Sequence, residues 1–531
     1  MAQLTGLGIR RLRSLYDLSP CVELRPITIL LGKNSVGKSS FARLFPLLRQ
    51  SVERRKRSPI LWFGDLVDYG SLTQAITRGS TDLELIFEIN LADEDALRRR
   101  RLAANTLRGY YMRRDQNEVR VDNVKVTLTL RNDSNIESAQ ASKVQIEIAG
   151  MVIELTISTN STVEKVFIDG QNFSQGSTLV GVTQGQILPG LVFVKPDPEN
   201  PNELTSVRNP WRSALLSKIR GQLHGNTSDD TVSEIANRLL VTSRQGLVGV
   251  IRDIQGPQAW EALKPSLTEN TWFIKQLAPV LVAANLDQII DMLDEAIANI
   301  FTRVRYLKPL RATAERYYRR LDLAVAEIDP EGRNFPMFLD SLSKKELASF
   351  RNWTQKYLSI DVIPNREGAQ LTVMATNSGD STPTNIADMG FGISQVLPIA
   401  AQLWSSSQST NRTASASFIV IEQPELHLHP EYQARLGDVF AGFAQSSTSR
   451  GGTEQFLTPN GTKLIVETHS QHLVNRIGAL IERKVINPDD VSIVLFEPNE
   501  DKPGTTKCRI SHFNSEGALT NWPYGFFDPE S

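Results

Sequence analysis

Two residues near the start of the chain, Lys38 and Ser39, end a stretch that matches the pattern G-x-x-x-x-G-K-[ST] at every fixed position. The two fixed glycines permit backbone angles that a Cβ atom would forbid, so successive N–H groups can converge on a phosphate. The lysine can reach the β- and γ-phosphates as a point charge, and the serine hydroxyl can bind Mg²⁺. The pattern therefore predicts a nucleoside triphosphate site, with ATP and Mg²⁺ as cofactors. Its candidate binding residues are Gly32, Asn34, Ser35, Gly37, Lys38, Ser39 and Ser40.

A strand and a helix are predicted on either side of this glycine loop. Residues 26–31 form a β-branched and apolar run, which is typical of a buried strand, and residues 40–48 are typical of the start of a helix. A loop between a strand and a helix N-terminus offers convergent N–H groups and the positive end of the helix dipole. The flanking elements therefore favour a phosphate site over a chance match.

Two apolar runs later in the chain end in polar residues that suit the same site. Residues 417–421 lead into an acidic segment, and a carboxylate at the tip of such a strand can hold Mg²⁺ directly or through water. The segment 463–470 is another apolar strand with a polar cluster at its end. Ligands collect at the carboxyl ends of strands in doubly wound parallel sheets, so we expect both clusters to lie beside the glycine loop. The candidate catalytic residues are Glu422, Gln423, Glu425 and His469.

A second turn suited to anions lies in residues 388–398. Two glycines and a serine stand there at the start of a predicted helix, where backbone N–H groups can again face a phosphate. A glycine loop and a separate turn of this kind indicate a site that is shared between two protomers.

Composition limits the class of protein. A chain of 531 residues is long for one core and predicts two or three lobes, and its 40% hydrophobic and 22% charged content is ordinary for a globular protein. A net charge of −1 excludes a global field that would attract nucleic acid or membrane. Two cysteines exclude a disulfide framework. No long apolar segment or signal-peptide pattern occurs, so we expect no membrane contact and a cytoplasmic location.

The pattern of hydrophobic residues divides the chain into three parts. Alternating strands of an antiparallel sheet are predicted over residues 80–195, and a polar run rich in Pro and Asn follows at 195–202. Residues 205–305 have helical spacing without long heptads, and the Ser/Thr-rich run 405–417 is predicted to be a loop. The predicted domains are an N-terminal lobe at 1–200, a helical insertion at 201–305 and a C-terminal lobe at 306–531.

The order of these motifs resembles the ATP-binding-cassette head of the non-transporter ATPases, which include SMC-like repair ATPases and OLD-family ATPases of bacteria. The strings E-x-P-E-x-H-L-H-P and E-T-H-S-x-H-L occur here, as do segments 306–311 and 522–528 that are similar to that group. The greatest likeness is to OLD-type AAA ATPases of antiphage systems, such as Septu modules and Septu-like retrons. The resemblance covers residues 1–90 and 305–531. It implies an α/β fold, a P-loop NTPase head with a mixed sheet core, an antiparallel β lobe and a helical insertion.

The same resemblance implies roles for individual residues. Glu422 takes the place of the Walker B acid that organises Mg²⁺, and His469 that of the switch histidine that senses the γ-phosphate. Gly392 and Ser394 would touch the nucleotide of the partner in a head-to-head homodimer or a higher oligomer. Gln74 is a candidate for the lid-loop glutamine and thus for a metal ligand.

One position departs from the family pattern. The residue after the Walker B acid is usually a glutamate that polarises the attacking water, and here it is Gln423. A glutamine cannot act as a base, although it can orient a water. Glu425 or a nearby histidine could assume the role. We therefore expect slow hydrolysis, with ATP held for long times as a dimer clamp.

Two functions are compatible with these features. The first is an ATP-clamped scaffold that restrains a separate effector nuclease in antiphage defence, and the alternative is an SMC- or RecF-like DNA-repair or DNA-clamping ATPase. The compact helical insertion and Gln423 favour the first. The residues after His469 contain no D-x-D, so a nuclease activity is expected to belong to another chain.

Two clusters have alternative interpretations. Arginines in the segment 98–114 could bind nucleic acid phosphates through counterion release, or they could form a solvated face that the acidic residues 93–95 blunt. Four histidines are typical of a metal site, but an interface loop and a solvent-facing helix would also explain them. They are His427, His429, His469 and His472.

Overall fold

The computed structural model describes most of the chain. The described ranges are 2–18, 21–91, 117–131, 139–174, 179–183, 185–197, 203–320, 325, 327–377, 379–380, 382–408, 416–448 and 461–523. The arginines of segment 98–114, the acidic residues 93–95 and positions 524–528 of the C-terminal segment lie outside the described residues. The nucleic-acid interpretation of that arginine cluster therefore stays a prediction.

The strands are numbered in chain order. They are β1 Gln3–Leu12, β2 Leu15–Asp17, β3 Val22–Glu23, β4 Ile27–Gly32, β5 Asp82–Asn90, β6 Glu118–Val119, β7 Asn123–Arg131, β8 Gln140–Ile148, β9 Met151–Ile157, β10 Val163–Ile168, β11 Gln171–Asn172, β12 Leu179–Val182, β13 Leu191–Pro196, β14 Leu204–Ser206, β15 Leu240–Val241, β16 Val304–Leu307, β17 Tyr318–Arg319, β18 Ile360–Glu367, β19 Gln370–Asn377, β20 Thr384–Asn385, β21 Phe418–Glu422, β22 Lys463–Glu467, β23 Val491–Pro498, β24 Thr506–Phe513 and β25 Leu519–Thr520.

The α-helices are numbered in the same way. They are α1 Lys38–Ala42, α2 Leu44–Glu53, α3 Leu72–Ala75, α4 Trp211–Arg220, α5 Asp229–Arg238, α6 Arg244–Asp253, α7 Gln258–Leu263, α8 Trp272–Ala283, α9 Leu286–Phe301, α10 Phe335–Ser341, α11 Lys344–Leu358, α12 Phe391–Gln408, α13 Pro430–Thr448 and α14 Gln471–Glu482.

A mixed sheet of seven strands forms the centre of the fold. Its order is β16-β21-β22-β4-β23-β24-β25. The first five strands run parallel, and β24 pairs with β23 in the antiparallel sense. Every residue of β4 is buried, as expected for an apolar strand that is covered on both faces of a parallel sheet. The carboxyl ends of β4, β21 and β22 therefore lie side by side at one edge.

The antiparallel lobe is a second sheet with the order β11-β10-β9-β8-β7-β5-β1-β2, and β3 also pairs with β1. Burial alternates along β7, so one face of the lobe is packed and the other is open to solvent. The fold class predicted from the sequence is confirmed by this architecture: an α/β P-loop head with a mixed central sheet, an antiparallel β lobe and a helical insertion. The domain limits at 200 and 305 stay a prediction.

Two hydrophobic cores cover the two faces of the central sheet. Leu30 of β4 belongs to the core shared by the antiparallel lobe and the helical insertion. Ile29 and Leu31 belong to the core formed with the C-terminal helices. Neighbouring side chains of a strand point to opposite faces, so one strand joins both cores and places the glycine loop between them.

The prediction of a loop over residues 405–417 is wrong at its start, because α12 continues to Gln408. The serine hydroxyls of this last turn bind helix carbonyls instead of breaking the helix. Ser405 and Ser406 donate to the carbonyl of Gln402 at 3.0 and 2.8 Å, and Ser407 donates to that of Trp404 at 2.7 Å. Such back-bonding makes serine compatible with a helix interior.

In the part of the chain that the structure describes, no single helix is long and apolar enough to cross a membrane. The helices α8 and α9, bent by 60° at their junction, pass that test only as a pair and only by length and composition.

Candidate nucleotide-binding site

In the glycine loop between β4 and α1, the two fixed glycines adopt positive φ angles that residues with a Cβ atom rarely adopt. Gly32 and Gly37 have φ angles of +153° and +97°. A Cβ atom at Gly32 would lie 2.4 Å from the carbonyl oxygen of Phe496, and one at Gly37 would lie 2.7 Å from the hydroxyl of Ser14. Asn34 and Ser35 lie at the exposed tip of the loop. The loop is thus a tight cradle closed on the protein side by β23 and the β1–β2 turn.

Lys38 points its charge into this cradle. Its ammonium group donates hydrogen bonds of 3.0 and 2.7 Å to the carbonyl oxygens of Gly32 and Lys33. An ammonium group has three donors, so one more can serve a phosphate oxygen. Burial lowers the pKa of Lys38, and the charges of Glu467 and Glu425 oppose that shift. The lysine is therefore a desolvated cation with carboxylates nearby.

Ser39 and Ser40 lie on the first turn of α1. The hydroxyl of Ser39 donates a hydrogen bond of 2.6 Å to Oε1 of Glu467 at the end of β22. The other carboxylate oxygen, Oε2, is buried and has no hydrogen-bond partner among the described residues. Burial raises the pKa of Glu467 to about 7, against the effect of the Ser39 bond. The backbone oxygen of Ser40 accepts a 2.7 Å bond from the hydroxyl of Tyr69.

Glu422, the predicted Walker B acid, ends β21 in register with Glu467 on the neighbouring strand. Its two carboxylate oxygens accept hydrogen bonds of 2.8 Å from the Nε and Nη2 atoms of Arg43. The hydroxyl of Tyr306 donates a third bond of 2.6 Å to Oε1. The bond to Glu422 raises the pKa of Arg43, and burial raises that of Tyr306. Glu422 is thus the centre of a buried charge cluster.

The segment after Glu422 is joined to the segment that carries His469. Gln423 adopts a φ of +42°, and its N–H donates to the carbonyl of Glu467 at 2.8 Å. The carboxylate of Glu425 accepts bonds of 2.7 Å from the hydroxyl of Thr468 and from the N–H of His469. Partial burial and the charge of Lys38 lower the pKa of His469, whose side chain is exposed at this edge. The four candidate catalytic residues therefore lie at adjacent strand ends.

The second anion turn, residues 388–398, contacts the loop after β21 at His427. Gly390 has a φ of +85°, and α12 begins at the next residue. The ring of Phe391 packs edge-on against that of His427, with centroids 4.9 Å apart, and Gly392 lies against the carbonyl of the same histidine. Ser394 is 6% exposed and its hydroxyl donates to the carbonyl of Phe391 at 2.7 Å. Gly392 is partly exposed, whereas Ser394 is buried.

Gln74 lies in a separate short helix, α3. Its side-chain oxygen accepts a hydrogen bond of 3.0 Å from the N–H of Ser71, which completes a capping box at the start of the helix. Its role as a metal ligand stays a prediction.

Four residues of the site were missed by sequence reasoning. Arg311 is 4% exposed, and it donates to the backbone oxygen of Glu422 at 3.1 Å. Burial lowers the pKa of Arg311 to about 10. The sequence contained a signal for Glu467, because it ends an apolar strand as Glu422 does. The contacts of the other three residues join segments that are far apart in the sequence, so no local pattern predicts them. The four are Arg43, Tyr306, Arg311 and Glu467.

The residues fit a triphosphate with Mg²⁺. The loop has a glycine cradle and an inward lysine, and the unpartnered Oε2 of Glu467 lies beside Ser39, where a hard cation finds oxygen ligands. Within the described ranges, no group of three or more His, Cys, Asp or Glu side chains could hold a metal ion by itself. Magnesium here would depend on the phosphates and on water for its other ligands.

Two family models match parts of the chain. Residues 271–475 match the family described as "AAA domain, putative AbiEii toxin, Type IV TA system", and residues 486–530 match "Protein of unknown function (DUF3696)". The first match contains the second anion turn, the Glu422 segment and His469. Residues 271–475 are therefore similar to an AAA-type domain. Comparison with curated protein sequences gives no match.

Similar solved structures include heads of SMC proteins. The Smc head domain with an extended coiled coil, bound to the C-terminal domain of ScpA, from Pyrococcus furiosus is 11% identical, with a TM-score of 0.35 and coverage of 96% of each chain. The Smc head domain with a coiled coil and joint from Pyrococcus yayanosii is 10% identical, with a TM-score of 0.35 and coverage of 97% of this chain and 98% of that chain. The SMC head domain from Thermotoga maritima is 10% identical, with a TM-score of 0.33 and coverage of 96% and 98%. The strand order of the central sheet and the glycine loop after β4 are the features of this chain that define its fold.

Proposed function

We propose that this protein binds ATP with Mg²⁺ and uses the bound nucleotide as the clamp of a dimeric scaffold. In this proposal the scaffold binds and regulates a separate effector nuclease in bacterial antiphage defence. The observation that carries the nucleotide part is the meeting of the glycine loop, with Lys38 turned inward, and two acidic strand ends at one edge of the central sheet. That edge is where ligands bind in open parallel sheets.

The side chains near the expected position of the attacking water support slow hydrolysis of ATP. Gln423 has no acidic side chain, and Glu425 uses both carboxylate oxygens to hold Thr468 and His469. Each of these hydrogen bonds stabilises the ionised carboxylate and so weakens it as a general base. Long retention of ATP follows, and it suits a clamp better than a motor.

A head-to-head dimer is supported by apolar surface around the second anion turn. Phe391 is 41% exposed, and Leu310 and Tyr317 are 66% and 58% exposed. The segment that holds these last two is tied to the turn by the ion pair of Arg316 with Asp388. Large exposed apolar side chains near a functional turn mark an interaction surface.

The role in defence is supported by the description of the family that matches residues 271–475, which names a toxin of toxin–antitoxin systems. The alternative, a DNA-clamping ATPase, is less well supported because α9, the longest helix described for the insertion, has 16 residues. At 1.5 Å per residue such a helix spans roughly 24 Å, which is too short for a coiled-coil arm.

The mass of the purified protein in solution tests the clamp. Light scattering after size exclusion should give a monomer without nucleotide and a dimer with Mg²⁺ and ATP, and Lys38→Ala should remain monomeric in both. A nuclease encoded beside this gene should copurify with the wild type but not with Lys38→Ala. An unchanged mass with and without MgATP would exclude the clamp, and copurification unaffected by Lys38→Ala would exclude nucleotide control of the effector.

A further inference from the structure

The acid that the family pattern assigns to Mg²⁺ is already engaged. Both carboxylate oxygens of Glu422 are bonded to the guanidinium of Arg43, and one of them also to the hydroxyl of Tyr306. The side chain of Glu422 is 2% exposed in this pair. A carboxylate held by two donors of a guanidinium fork has strong charge-assisted partners that a cation would have to displace.

Glu467, unlike Glu422, has only one of its two carboxylate oxygens engaged in a hydrogen bond. Its Oε1 contacts the hydroxyl of Ser39 at 2.6 Å, and that serine is the loop residue expected to bind the cation. Its Oε2 is buried, and no partner for it lies within the described part of the chain. A buried polar atom without a partner is costly unless a ligand or water satisfies it.

Strand order places Glu467 nearer to the glycine loop than Glu422. β22 lies between β21 and β4, so Glu467 is one strand away from the glycine loop and Glu422 is two strands away. Neighbouring strands are about 4.8 Å apart, so the two carboxylates are level along the strands but unequal in their distance from the loop.

We propose that Glu467, together with Ser39, is the carboxylate that organises the Mg²⁺ of the nucleotide, and that Glu422 instead neutralises Arg43. Mg²⁺ usually keeps several waters and takes one or two carboxylates plus substrate phosphates. The free Oε2 is the oxygen of this chain that would accept a hydrogen bond from a magnesium water or bind the ion. This inference rests on the proposed function, because it requires ATP to occupy the glycine loop.

Matched amide substitutions separate the two acids. ATP affinity is measured with Mg²⁺ and with excess chelator in the wild type, Glu467→Gln and Glu422→Gln, and Mn²⁺ binding to each ATP complex is followed by electron paramagnetic resonance. Glu467→Gln should keep its affinity for free ATP but lose the gain from Mg²⁺, with Mn²⁺ affinity lower by about 10–100-fold. Glu422→Gln should keep the gain, because its carboxylate does not serve the cation.

The remaining outcomes oppose the inference. If only Glu422→Gln loses the Mg²⁺ gain, or if both variants or neither lose it, the assignment to Glu467 is wrong. Failure of the wild type to bind ATP, with or without Mg²⁺, would reject the proposed function itself. If Glu467→Gln does not fold, Ser39→Ala is measured instead together with Glu422→Gln, and an undiminished Mg²⁺ gain in Ser39→Ala would also overturn the pairing.

Discussion

The carboxylate of Glu425 accepts a 2.7 Å hydrogen bond from the backbone N–H of His469, 44 positions further along the chain. Its other oxygen holds the hydroxyl of Thr468 at the same distance. The loop after β21 is thus fastened to the loop after β22, beside the glycine loop. The loop after β21 also carries His427, whose ring packs against Phe391 of the second anion turn.

Replacement of Lys38 by alanine should weaken ATP binding by about 10–100-fold, because a hydrogen bond to a charged group contributes about 1.5–3 kcal/mol. Its ammonium group is turned into the glycine loop. Isothermal titration with ATP measures the change. The control is Lys344→Ala, which alters an exposed lysine at the start of α11. Equal affinity of wild type and Lys38→Ala would contradict the whole assignment of the site.

Replacement of Phe391 by aspartate should prevent ATP-dependent dimerisation while the monomer stays folded. The ring is 41% exposed beside the second anion turn, so a charge is tolerated in the monomer but would lie in the proposed dimer seam. Ser394→Arg is less suitable, because Ser394 is 6% exposed and an arginine there would disturb α12 itself. Sedimentation velocity with MgATP measures the effect. Trp272→Asp, at another exposed aromatic residue, should still dimerise, and a dimer of Phe391→Asp would exclude this face.

The wild-type protein should hydrolyse ATP at less than ~1 per second, below the range of most enzymes. Gln423→Glu should increase the rate, because general-base assistance is typically worth about 10²–10⁴-fold. The same substitution should shorten the lifetime of any dimer held by ATP. Steady-state ATPase assays of wild type, Gln423→Glu and Glu425→Gln show whether the protein lacks a general base or uses Glu425 as one. Fast wild-type turnover that Glu425→Gln abolishes would show that Glu425 is the base.

Replacement of Arg43 by methionine should lower the thermal stability, because it leaves the charge of Glu422 buried without its ion-pair partner. Breaking a buried pair costs about 3–5 kcal/mol, and a value near the lower end is expected because the Arg43 side chain is 34% exposed. Arg54→Met breaks the exposed pair with Asp65 and should cost less than about 1 kcal/mol. Thermal unfolding measures both, and equal melting temperatures of Arg43→Met and Arg54→Met would contradict a buried charge cluster.

The local parts of the site could be predicted from the sequence because they depend on neighbouring residues. The glycine loop follows from residue types at fixed spacing, since positive φ angles and close backbone approach require glycine at Gly32 and Gly37. The buried strands that precede Glu422 and His469 follow from their apolar runs. The helical end of α12 could not be predicted, because serine occurs both in loops and in helices where its hydroxyl bonds back to the chain.

The partners across the site were decided by tertiary structure alone. Ser39 meets Glu467 across 428 positions and Arg43 meets Glu422 across 379. Sequence reasoning placed an acid at the end of β21 and a polar cluster at the end of β22, but it could not order the strands, and the order determines which strand end lies nearer the glycine loop. Strand order depends on how helices pack on both faces of the sheet, which is a property of the whole chain. The residues of the glycine loop could therefore be predicted from the sequence. The relative positions of Glu422 and Glu467 could not, because they depend on β22 lying between β21 and β4.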